Sequence, residues 1–113
     1  MAERKLDILI KTRDKALIFY MLGGSTHLNK TPIRAGGNAK LIYKGSLCHK
    51  SRELPEIAKF VLVFDESVDV PEASNWLYEK IKGRTEELNF GGKRIAVNKE
   101  EISEIIEKEL SEW

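Results

Sequence analysis

At 113 residues, 42% hydrophobic and 33% charged, the chain is long enough to close a hydrophobic core without staples and has the composition of a soluble globular protein. One cysteine excludes an internal disulfide, no Cys/His spacing resembles a zinc site, and the longest apolar run (16–22) is far short of the roughly 20 residues that cross a bilayer. The formal net charge of +1 hides two opposed parts: residues 15–52 carry seven Lys/Arg and no carboxylate, whereas residues 53–113 carry fifteen Asp/Glu against eight Lys/Arg.

In chain order, residues 6–11 alternate as a strand, with Leu6, Ile8 and Ile10 on one face. Residues 16–22 are apolar all round. Thr12 or Asp14 is placed to cap a helix there, with Gly23-Gly24 as its stop; alternatively the run is the second strand of a hairpin turning at Arg13-Asp14. Residues 23–38 are rich in turn formers (Gly23, Gly24, Pro32, Gly36, Gly37) and read as a long basic loop. Residues 39–44 read as a strand with Leu41 and Tyr43 facing away from Lys40, Ile42 and Lys44, followed by an irregular stretch from Gly45 to about Glu56. Residues 59–64, Lys-Phe-Val-Leu-Val-Phe, are apolar on both faces and predict a central strand covered on each side, with the C-terminal helix or a second subunit as the outer cover.

The second half punctuates itself more clearly. Asp69 with Glu72 three residues on, and Pro71 in the first turn, opens a helix whose inner stripe is Ala73, Trp76, Leu77 and Ile81; Gly83 stops it. Residues 86–90 and 93–97 flank Gly91-Gly92, a two-residue hairpin turn that pairs Leu88 with Ile95 and Asn89 with Arg94. Asn98 with Glu101 opens a last helix, with Ile102, Ile105, Ile106, Leu110 and Trp113 on one stripe and six glutamates over the remainder. The order β-α-β-β-α-β-β-α predicts an α+β, ferredoxin-like split β-α-β sandwich spanning residues 1–113 as one domain, with an added acidic C-terminal helix.

The loop at 23–38 holds the parts that phosphate recognition needs: glycines that let backbone N–H groups approach an anion, charge from Lys30 and Arg34, and neutral donors such as Asn29. It matches neither a P-loop nor a dinucleotide fingerprint. With the lysines that follow, it yields a candidate binding set of His27, Asn29, Lys30, Arg34, Asn38, Lys40, Lys44, His49, Lys50 and Arg52. The rival reading of Lys40 and Lys44 is protection of an edge strand against aggregation. Phe60 and Phe64 read as core, because the first strand carries no aromatic to join them in stacking bases. Cys48 and His49, adjacent on an extended chain, point opposite ways and do not form a nucleophile–base pair. Asp65, Glu66 and Asp69 read as acids favoured near a helix N-terminus rather than as Mg²⁺ ligands.

The expected function is therefore a small binding domain that recognises a phosphate-bearing ligand, foremost nucleic acid, through residues 25–52. An alternative is a self-associating module, such as a homodimer, in which that segment meets the acidic C-terminal helix. The third reading is a small enzyme acting on a phosphorylated or acidic metabolite, with His27 or His49 as acid–base and no further catalytic residue assigned. No metal or cofactor is expected. The N-terminus lacks the apolar segment of a secretory signal, which predicts a cytoplasmic location. The absence of glutamine beside thirteen lysines and fourteen glutamates predicts a thermophile's protein.

Overall fold

A computed structural model describes residues 3–14, 16–21, 32–47 and 56–112. It is α+β: β1 (Arg4–Thr12), α1 (Leu17–Met21), β2 (Ile33–Arg34), β3 (Lys40–Leu47), β4 (Glu56–Phe64), α2 (Val70–Ile81), β5 (Glu87–Phe90), β6 (Lys93–Ile95) and α3 (Lys99–Ser111). The strands form one six-stranded sheet in the order β2-β3-β4-β1-β5-β6, with every neighbouring pair antiparallel. The two central strands, β1 and β4, pair along their whole nine-residue lengths from Arg4↔Phe64 to Thr12↔Glu56.

The local signals decide the element ends. Asp69 caps α2, its Oδ1 accepting from the Glu72 N–H at 3.1 Å, and Gly83 follows the helix with φ +70°. Asn98 caps α3 by accepting from the Glu101 N–H at 2.8 Å. The Glu101 carboxylate returns past the cap to accept from the Ala96 N–H at 2.7 Å, a capping box stretched by two residues. Gly91 and Gly92, with φ +57° and +85°, turn the β5–β6 hairpin in the expected register, Leu88↔Ile95 and Asn89↔Arg94. Within the apolar run after β1, Leu17–Met21 is helix. Asp14 Oδ1 accepts from Ala16 N–H at 2.9 Å and its carbonyl from Leu17 N–H at 3.1 Å, which starts α1.

Two expectations about the β2–β3 region need correction. Gly45 does not end β3: the strand continues to Leu47 through a bulge between Tyr43 and Gly45, where φ of +115° suits glycine. Nor is the end of the 23–38 loop irregular, because Ile33 and Arg34 pair with Leu41 and Lys40 as a short edge strand. The intervening glycines serve packing. A Cβ on Gly37, already at φ +68°, would lie 2.3 Å from the Asp69 carbonyl oxygen, and one on Gly36 would lie 2.8 Å from Trp76 Cβ. The Gly37 carbonyl in turn accepts from the Asp69 N–H at 2.8 Å, tying the β2–β3 turn to the start of α2.

All described helices contribute to one face of the sheet. Leu6, Ile8, Ile10, Leu41, Tyr43, Phe60, Leu62, Phe64, Leu88 and Phe90 form a single core with Leu17, Ala73, Leu77, Ile81, Ile102 and Ile106 from the three helices. Phe60 and Phe64 are buried there, as the core reading expects. α3 packs beside α2 on that side, so it does not cover the other surface of β4. Val61 and Val63, on that outer surface, are outside the core cluster yet only 7% and 6% exposed. The register flanks Val63 with Lys5 and Lys40, and Val61 with Asp7 and Ile42. Long lysine stems can shield apolar neighbours while their ammonium groups stay in water. Among the described residues, no helix is long and apolar enough to cross a membrane.

Candidate binding face

The face of the sheet opposite the helices is built from the alternate residues of each strand. The register arranges them in rows. Arg34, Lys40, Val63 and Lys5 form one, and Ile42, Val61 and Asp7 the next. Lys59, Leu9, Asn89 and Arg94 form a third, and Ile57, Lys11 and Glu87 a fourth. Lys44, the extra residue of the bulge, lines the same surface as Lys59 and Leu9. Seven basic residues (Lys5, Lys11, Arg34, Lys40, Lys44, Lys59 and Arg94) thus share this face with two acidic ones, Asp7 and Glu87.

The charge is unevenly balanced across it. Glu87 takes Arg94 at 3.3 Å and Lys11 at 3.9 Å, so the β5–β6 side is partly neutralised. Among the described residues Lys5, Arg34, Lys40, Lys44 and Lys59 make no ion pair. Their field reaches beyond the face. The Ser67 hydroxyl and then its N–H hold the Asp65 carboxyl below the usual carboxylate range, and the Lys40 charge adds to this in a smaller measure. Between the lysines lies a depression of about 390 Å³ lined by Asp7, Leu9, Lys44, Lys59, Val61 and Asn89.

Of the residues singled out in the sequence, Arg34, Lys40 and Lys44 meet on this face. Asn38 serves the backbone instead. It adopts φ +66° in the β2–β3 turn, and its amide donates to the Ser67 carbonyl at 3.3 Å. His27, Asn29, Lys30, His49, Lys50 and Arg52 lie outside the described residues, as does Cys48. Lys5, Lys11, Lys59 and Arg94 join the site from strands distant in sequence. None of them stands out locally, and only the pairing register brings them together. The acids after β4 are engaged by their own chain, Asp65 by Ser67 and Asp69 by the α2 cap, and no metal-ligating cluster occurs among the described residues. The acidic α3 packs on the helical side and so does not reach across to the opposite face.

The chain matches no protein-family model, no curated protein and no solved structure.

Proposed function

We propose that this chain is a binding module that lays a single-stranded nucleic acid across the sheet face opposite its described helices. The observation that carries this reading is the convergence of Lys5, Arg34, Lys40, Lys44 and Lys59, none ion-paired among the described residues, on one surface with an apolar strip between them. Such charges take phosphates, while the half-buried Ile42 and Leu9 offer contact to bases and sugars. A flat sheet suits a single strand better than a duplex, whose grooves call for a protruding element. No aromatic side chain belongs to the rows of this face, so stacking contributes little, and backbone contacts, blind to sequence, dominate. The fold reading that accompanies this takes β3-β4-β1-β5 with α1 and α2 as a ferredoxin-like split β-α-β unit. It is supported by two crossovers, β1 to β3 and β4 to β5, that each skip the strand lying between. β2, β6 and α3 are then extensions of it.

A salt titration with a twelve-nucleotide single strand tests the function. Affinity should fall log-linearly with salt, and each phosphate-contacting lysine removed should lower the slope by about 0.7. The triple variant Lys40→Glu, Lys44→Glu, Lys59→Glu should lose binding while keeping its circular dichroism spectrum. Binding that ignores both salt and charge reversal would end the proposal.

A second reading is favoured by the placement of α3. Its glutamates and the basic face lie on opposite sides of the sheet, so pairing between copies is head-to-tail rather than a closed reciprocal dimer. Sedimentation at low salt should then show mass growing with concentration; a monomer throughout excludes it.

A further inference from the structure

Resting on the single-strand reading, we propose that Asp7, Leu9 and Asn89 form a base-sized subsite that favours bases bearing an exocyclic amino group, and disfavours uracil. A generic phosphate-binding face has no use for Asp7. The carboxylate is exposed among cations, where it repels phosphate, and among the described residues its side chain has neither ion pair nor hydrogen bond. Its backbone is firmly placed, with the Asp7 carbonyl accepting from the Gly91 N–H at 2.8 Å.

The surroundings suit a flat, polar-edged ligand. Leu9, half-buried, sits between Lys59 on β4 and Asn89 on β5, with Asp7 two residues along the same strand. Asp7 and Asn89 are diagonal neighbours across β1 and β5, about 7–8 Å apart by strand geometry. The depression they line, about 390 Å³, lies within the usual size range of small-ligand sites, about 300–1,000 Å³. A base resting on Leu9 presents its edge to Asp7, while Lys44 and Lys59 stand beside it for the flanking phosphates. An ionised carboxylate only accepts hydrogen bonds. Cytosine offers it the N4 amino group, a recognised pairing for Asp. Uracil offers a carbonyl oxygen at the same position, which the carboxylate repels. Adenine, with its N6 amino group, follows cytosine.

Fluorescence anisotropy with the oligonucleotides rC12 and rU12 at low salt tests this on the intact chain. The wild type should bind rC12 about fivefold or more tighter than rU12. Asp7→Asn should bring the two affinities close together, chiefly by tightening rU12 as the repulsive charge is removed. If Asp7→Asn shifts both oligonucleotides by the same factor, or if the wild type does not discriminate between them, the base subsite is overturned while the binding face stands. If neither oligonucleotide binds, the single-strand reading itself fails, and the subsite with it.

Discussion

At the scale of single residues, the clearest demands fall on backbone geometry and buried polar atoms. Gly37 combines a positive φ with an approach of 2.3 Å between a would-be Cβ and the Asp69 carbonyl oxygen. Gly37→Ala should therefore cost about 2 kcal/mol or more in a urea titration. Gly92→Ala, strained at φ +85° but with open space around it, should cost about 1 kcal/mol. Ser74 gives the opposite sign. Its hydroxyl is fully buried in α2 without a hydrogen-bond partner among the described residues, so Ser74→Ala should be neutral or stabilising by up to about 1 kcal/mol. The Asp65 carboxyl, held low by Ser67, favours the folded state above the carboxyl's unfolded pKa, and this is lost as pH falls through the lower folded value. Ser67→Ala should move the Asp65 titration, followed by NMR, up toward the ordinary carboxylate range.

Elements differ in how far the sequence discloses them. Asp69–Glu72, Asn98–Glu101 and Gly91-Gly92 are short-range devices whose chemistry is complete within four residues, and α2, α3 and the hairpin follow from them. β2 escapes notice because two residues carry no period, and its partner is supplied by register alone. Gly45 misleads because the same residue type ends strands and permits bulges; the choice between them is made by the pairing with β4, which resumes at Gly45↔Lys59. The candidate face is half legible for a related reason. Arg34, Lys40 and Lys44 stand out in an acid-free window, whereas Lys5 and Lys59 become their neighbours only once β4 is seated between β1 and β3. α3 adds its own prediction: Ile106, fully buried against the shared core, should cost about 2–5 kcal/mol when changed to Ala.

For the molecule as a whole, a net charge of +1 describes the balance and conceals the arrangement. One side of the sheet gathers cations and the other carries a glutamate-rich helix, so on either proposed reading ionic strength should act on how partners orient as well as on how tightly they bind. The glutamine-free, lysine- and glutamate-rich composition predicts thermal unfolding above about 60 °C, beyond the usual centre of mesophile domains; a lower midpoint by calorimetry would reject it.

The close seating of Gly36 against Trp76 has a practical consequence. The turn that carries Arg34 and leads into Lys40 rests directly on the indole-bearing residue, so the molecule contains its own optical reporter of that corner. With Trp113→Phe leaving Trp76 as the sole indole of the chain's two, its emission should respond when an anion loads Arg34 and Lys40. Occupancy could then be followed without a label on either partner.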